Sequence, residues 1–128
     1  MGGFCKQQEL TPTRILTSPY ERAKQTAFLV AQELGDSPNK IDVEIAPFLA
    51  CGMSPETALD QVGEMATFPS IMLVGHEPDL SHLCAHLLGS SSHCIHIRKA
   101  SLTLIETTSF RAGAGVLHFS IPVELIRL

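Results

Sequence analysis

The chain has 128 residues and a formal net charge of −4, which suits one domain with a core of ordinary size and argues against a nucleic-acid or polyanion surface. Hydrophobic residues make up 45% of it and charged residues only 17%, a balance that excludes a disordered chain. Cysteines at 5, 51, 84 and 94 form no C-x-x-C pair, the N-terminus carries no basic region before an apolar core, and no apolar run approaches the ~18 residues that span a bilayer, so the expectation is a cytoplasmic chain with reduced thiols and no membrane association.

Strand-like and helix-like stretches alternate with short turns and without repeats. Residues 4–10 read as the end of a helix closed by Thr11-Pro12, and residues 15–17 as a short strand. After the Ser18-Pro19 turn, a helix over Glu21–Leu34 places Ala23, Ala27, Val30, Ala31 and Leu34 on one face, with Gly35 as its C-terminal cap. The small residues on that face predict close packing on a sheet. Residues 36–40 form a surface loop, and residues 41–46 alternate apolar and acidic side chains as an edge strand does. A loop over 47–53 leads to Ser54-Pro-Glu-Thr57, an N-cap with proline at the first helical position. That helix runs to about Thr67 with a stripe of Ala58, Leu59, Val62 and Met65, broken by Gly63. Pro69 restarts the chain, and Ile71-Met-Leu-Val-Gly75 predicts a strand buried on both faces, as in a sheet covered by helices. A helix over 78–88 closes at Gly89. Strands over 93–98, 101–107 and 116–122 complete the pattern, with Arg111-Ala-Gly-Ala-Gly115 as a hairpin loop.

Two of these junctions carry chemistry. The run Ile71-Met-Leu-Val-Gly-His76 delivers an imidazole to the carboxyl end of a strand, the edge at which open α/β sheets bind ligands. The helix that follows, with Asp79 and Ser81 in its first turn, turns free backbone N–H groups toward the same crevice, a place that suits an anion. Taken alone, His76 reads equally as a strand-end histidine packed under a loop. In the other junction, Ser18-Pro-Tyr-Glu-Arg22, an arginine occupies the first turn of a helix, where the macrodipole disfavours a cation unless an anion sits nearby. Guanidinium offers a planar fork that matches phosphate or carboxylate oxygens two at a time. The plainer reading of Arg22 is an exposed side chain paired with Glu21 or another surface acid.

Together, Leu16-Thr-Ser-Pro-Tyr-Glu-Arg-Ala-Lys-Gln-Thr26 and Leu73-Val-Gly-His-Glu-Pro-Asp-Leu-Ser81 resemble the histidine phosphatase (phosphoglycerate mutase-like) superfamily, in its small SixA-type phosphohistidine phosphatase branch. A fainter likeness through residues 97–106 extends it over most of the chain. The resemblance implies a three-layer α/β/α sandwich over residues 1–128, with a mostly parallel central sheet and helices on both faces. It also implies that Arg22 and His76 cradle a phosphoryl group; no cofactor or metal is expected. Glu77 follows His76 where another branch keeps its acid, which makes it a weak proton-donor candidate; a helix N-terminal acid favoured by the dipole is the stronger reading.

The sequence departs from that family at one place. Its members open with a strand ending in Arg-His-Gly, whose histidine becomes phosphorylated and whose arginine is a further phosphate ligand, and no Arg-His pair occurs here. The chain reads as starting in the family's first helix, without its first strand and nucleophile loop, which would leave two unpaired strand edges. The expectation is therefore a hydrolase domain for protein phosphohistidine that is inactive as written for want of the nucleophile. A catalytically dead phosphate-binding or interaction module, or a phosphatase of small phosphomonoesters, is the alternative. His82 and His86, four apart on one helix, lack a third metal ligand by spacing, and His93, His96 and His118 read as polar positions in strands. Oligomeric state is left open.

Overall fold

The computed structural model describes residue 5 and residues 12–34, 41–65, 70–90, 94–98 and 101–122. They fall into two compact units, Met1–Ala50 with Ala66–His76 and Cys51–Met65 with Glu77–Leu128.

The first unit is built on three parallel strands, β1 (Arg14–Thr17), β2 (Val43–Ile45) and β3 (Ile71–Val74), in the order β2-β1-β3. Ile15 pairs with Val43 on one side and Met72 on the other, and Thr17 with Ile45 and Val74, so all three carboxyl ends lie along one edge. β1 is central and its Ile15, Leu16 and Thr17 are fully buried. Helix α1 (Glu21–Leu34) packs across the three strands through Ala23, Ala27, Val30 and Leu34, with Ala31 half-buried at the margin. Two alanines in the contact stripe let the helix axis come close to the sheet. The opposite face leaves Phe28 and Leu29 exposed, beside Ile45 of β2.

One expectation fails here. The Ile71–Val74 run was expected to be buried on both faces, yet all four residues are half-buried. The cause is position: among the described residues β3 has a neighbour on one side only, so its side chains border the rim rather than the middle of the layer. β2 is the edge strand its alternation predicts.

In the second unit, α2 (Pro55–Gly63) is capped by Ser54, whose Oγ accepts from the Thr57 N–H at 3.4 Å, with Pro55 at the first helical position. It buries Ala58, Leu59 and Val62 and packs on α3 (Asp79–Leu88). It stops at Gly63 rather than near Thr67, with the half-buried Met65 past its end; residues 66–69 lie outside the described set. The Asp79 carboxylate clips the turn before α2, accepting from the N–H groups of Gly52 at 2.8 Å and Met53 at 3.2 Å. Helix α3 ends on Gly89 in the left-handed region, φ 75°, with Ser90 N–H donating to the Ala85 carbonyl as in a Schellman closure.

A separate antiparallel pair, β4 (Ser101–Thr107) and β5 (Gly115–Pro122), follows. Its register skips one residue between the pairs Leu104–Phe119 and Ile105–Leu117, which makes His118 the extra residue of a bulge. The strand expected over 93–98 is corrected: residues 94–98 belong to no strand, and the Ile97 N–H donates instead to Ser81 Oγ at 2.8 Å. His96 is thus on no strand, His93 lies outside the described residues, and so do Gly35 and all of the first expected helix but Cys5, which is helical. No helix among the described residues is long and apolar enough to cross a membrane.

Candidate functional site

Because β1 and β3 run parallel and in register, the residues just past them meet. The Ser18 N–H donates to the Val74 carbonyl at 2.9 Å, extending the ladder one step beyond Thr17. There the Ser18 side chain turns across to β3's continuation, and its Oγ lies 2.6 Å from His76 Nε2. Ser18 is completely buried, and its Oγ also accepts the Tyr20 N–H at 3.2 Å, which fixes the turn into α1. The Tyr20 ring stands edge-on to the imidazole, centroids 5.2 Å apart at 67°, an attractive geometry for a pair of π-systems. The strand-end histidine is therefore held from one side by a hydroxyl and flanked by an aromatic ring, while Nδ1 has no partner among the described residues.

Arg22 is the second residue of α1, the helix that rises from this same edge. It is exposed, and the expected competitor for its charge is engaged elsewhere: Glu21 Oε2 lies 3.5 Å from Lys24 Nζ. Among the described residues Arg22 makes no ion pair, so a guanidinium stands open in the first turn of a helix whose N-terminal dipole already favours an anion. Arg14, at the other end of β1, pairs with Glu44 across the sheet and has no part in this edge.

The architecture matches solved structures closely. The protein histidine phosphatase SixA complexed with tungstate superposes with a TM-score of 0.80 at 19% identity, covering 98% of this chain and 78% of that one. The alpha-ribazole phosphatase from Shigella flexneri superposes with a TM-score of 0.69 at 16% identity, covering 91% and 77%. The chain has the histidine phosphatase fold. No family model matches the sequence. Over 122 residues it is 32% identical to an uncharacterized protein of Picosynechococcus sp., a match covering 89% of this chain and 66% of that protein, so the chain spans about two thirds of that relative's length.

Within this histidine phosphatase fold the two sequence motifs sit on adjacent strands of one sheet, with Ser18, Tyr20 and His76 in direct contact and Arg22 one short turn away along the chain. Ser18 and Tyr20 are the residues that sequence reasoning missed. Ser18 was read only as a turn former, because its side-chain partner lies 58 positions away and nothing local marks the pairing.

Glu77 belongs to the second unit and faces its own helix. Its Oε1 accepts the Ser81 N–H at 3.0 Å and its Oε2 accepts the Ser81 hydroxyl. The carboxylate thus caps α3, whose N-cap residue Pro78 offers no side-chain acceptor. Of the N–H groups expected to be free at that helix start, the Ser81 donor is taken by Glu77.

The remaining polar residues of α3 are not assembled for ligation. His82 and His86 are half-buried, and no three His, Cys, Asp or Glu side chains among the described residues gather to hold a metal ion. Burial, aided by the negative charge of Glu77, pushes the Cys84 thiol up to about 11, so it stays protonated and inert at neutral pH.

Proposed function

We propose that this chain is the phosphate-binding part of a histidine phosphatase-type hydrolase, with the oxyanion seated at the carboxyl edge of the parallel sheet between His76 and Arg22. The observation that carries this reading is the 2.6 Å Ser18–His76 contact, which fixes an imidazole beside the helix start that presents Arg22. Arg22 supplies fixed positive charge and paired donors to phosphoryl oxygens, and His76 donates to an equatorial oxygen. The SixA neighbour's bound tungstate, a tetrahedral oxyanion like phosphate, supports the class of ligand.

The preferred substrate is phosphohistidine on a protein. The chain has no large insertion between Ala46 and Met65 to serve as a lid, which favours an open site that admits a side chain borne on another protein. Phosphohistidine also carries a good leaving group, so the commitment of Glu77 to the α3 cap is no obstacle. Small phosphomonoesters are the second reading, favoured by the alpha-ribazole phosphatase neighbour. The reduced thiols fit a cytoplasmic protein.

Hydrolysis through a phosphoenzyme needs a nucleophile, and the 128 residues contain no Arg-His-Gly. The chain is accordingly expected to bind oxyanions without turning over substrate. Two measurements test this. Orthovanadate titrated into the chain is expected to bind, with Arg22→Ala and His76→Ala each weakening it; affinity unchanged in both variants removes the pocket assignment. A phosphohistidine peptide is expected to persist in the presence of the chain, and multiple turnover would refute the inactivity.

A further inference from the structure

The contact between Ser18 and His76 determines more than the position of the ring, because the two nitrogens of an imidazole are not equivalent and the partner of one sets the role of the other. Ser18 Oγ is fully buried and has two neighbours at hydrogen-bond distance among the described residues, the Tyr20 N–H at 3.2 Å and His76 Nε2 at 2.6 Å. Tyr20 can only donate. If Nε2 also donated, the oxygen would accept twice and its own O–H would point at no acceptor in a buried place, which is the costly arrangement. If the hydroxyl donates to a bare Nε2, all three groups are satisfied at once. The remaining proton of the neutral ring then resides on Nδ1, the nitrogen with no partner among the described residues.

On the reading of this edge as a phosphate site, we propose that Ser18 is a positioning residue: its hydroxyl donates to His76 Nε2, holds the imidazole as the Nδ1–H tautomer, and so makes Nδ1 the donor to the bound oxyanion. This is the tautomer that free histidine disfavours, so the protein has to impose it. The imposition is firm because Ser18 is fixed twice over, by its main-chain bond to Val74 at 2.9 Å and by the Tyr20 N–H on its oxygen. The Tyr20 ring edge at 5.2 Å limits rotation of the imidazole.

The test reads the tautomer directly, without ligand. In a 15N-labelled sample, long-range 1H–15N correlation at a pH above the ring's own titration, located in the same spectra, is expected to show His76 as Nδ1–H. Ser18→Ala is expected to move it to Nε2–H, and Ser18→Thr, which keeps the hydroxyl, to restore Nδ1–H. Orthovanadate affinity should fall ~5-fold in Ser18→Ala, the worth of one ordinary hydrogen bond, and recover in Ser18→Thr. Wild-type His76 found as Nε2–H overturns the proposal even if Ser18→Ala fails to fold, and so does a tautomer or a vanadate affinity indifferent to the alanine substitution. Failure of the phosphate site itself looks different: Arg22→Ala and His76→Ala would then leave vanadate affinity unchanged whatever the tautomer.

Discussion

Arg22 and Cys84 show how differently two reactive side chains are treated in one chain. Arg22 is kept exposed, unpaired among the described residues, and placed at a helix start, where its charge is favourable only with an anion present. Arg22→Lys preserves the charge but not the planar fork, so orthovanadate affinity by calorimetry is expected to fall ~10-fold, and further in Arg22→Ala. Cys84 is withdrawn instead. Its thiol is held near 11 against an ordinary 9.0, chiefly by burial. Below pH 9 the thiol is protonated in folded and unfolded chain alike and stability is unaffected. Between about 9 and about 11 only the unfolded chain ionises, so stability is lost as pH rises. Urea midpoints across that window should therefore fall more steeply in the wild type than in Cys84→Ala; parallel slopes would contradict the assignment.

Among the elements, α3 is the one most dependent on its flanks. Its first turn lacks an N-cap side chain and relies on Glu77 through Ser81, and the same Ser81 hydroxyl accepts the N–H of the buried Ile97, tying the 94–98 segment to the helix. Glu77→Gln is expected to cost ~1–2 kcal/mol in urea unfolding, since a charged acceptor of two donors becomes a neutral one. A residue serving only as a proton donor would show no such loss. At the other end of α3, Gly115 of β5 lies so close that an added Cβ would sit 2.9 Å from Ile105 Cγ2 and 3.1 Å from the Leu87 carbonyl oxygen. The Ile105 methyl can shift, but the helix backbone cannot, so Gly115→Ala should destabilise by ~1–3 kcal/mol, measured in the same way. The first effect is local to one helix start, whereas the second comes from a contact between β5 and a helix 28 positions earlier, which helix and strand propensities do not register.

For the molecule as a whole, β1 is the expected stabilising centre, since it bonds on both sides, to β2 and to β3, and buries Ile15, Leu16 and Thr17 completely. In native-state hydrogen exchange the amides of residues 15–18 are expected to be among the slowest, and those of β5, where Val116 and Leu117 are exposed, faster. Equal protection in the two would argue against β1 as the stabilising centre. The same strand order gathers the candidate site, for a central strand flanked by two parallel neighbours brings three carboxyl ends, and the turn into α1, to one edge.

The sequence by itself determined the elements whose signals are local: helix Glu21–Leu34 from its small-residue stripe, the Ser54-Pro55 start of α2, the Gly89 stop of α3, and the β4–β5 hairpin from its loop. It also offered Arg22 and His76 as candidates, through a pair of motifs whose resemblance to a known family outweighs the plainer reading of each residue alone. Only the tertiary structure decided what each residue meets. It left β3 half-buried, kept residues 94–98 out of any strand, and set Ser18 against His76 across 58 positions. The physical reason is that propensity acts along the chain, whereas strand order, burial and hydrogen-bond partnership are settled between segments that the sequence keeps apart.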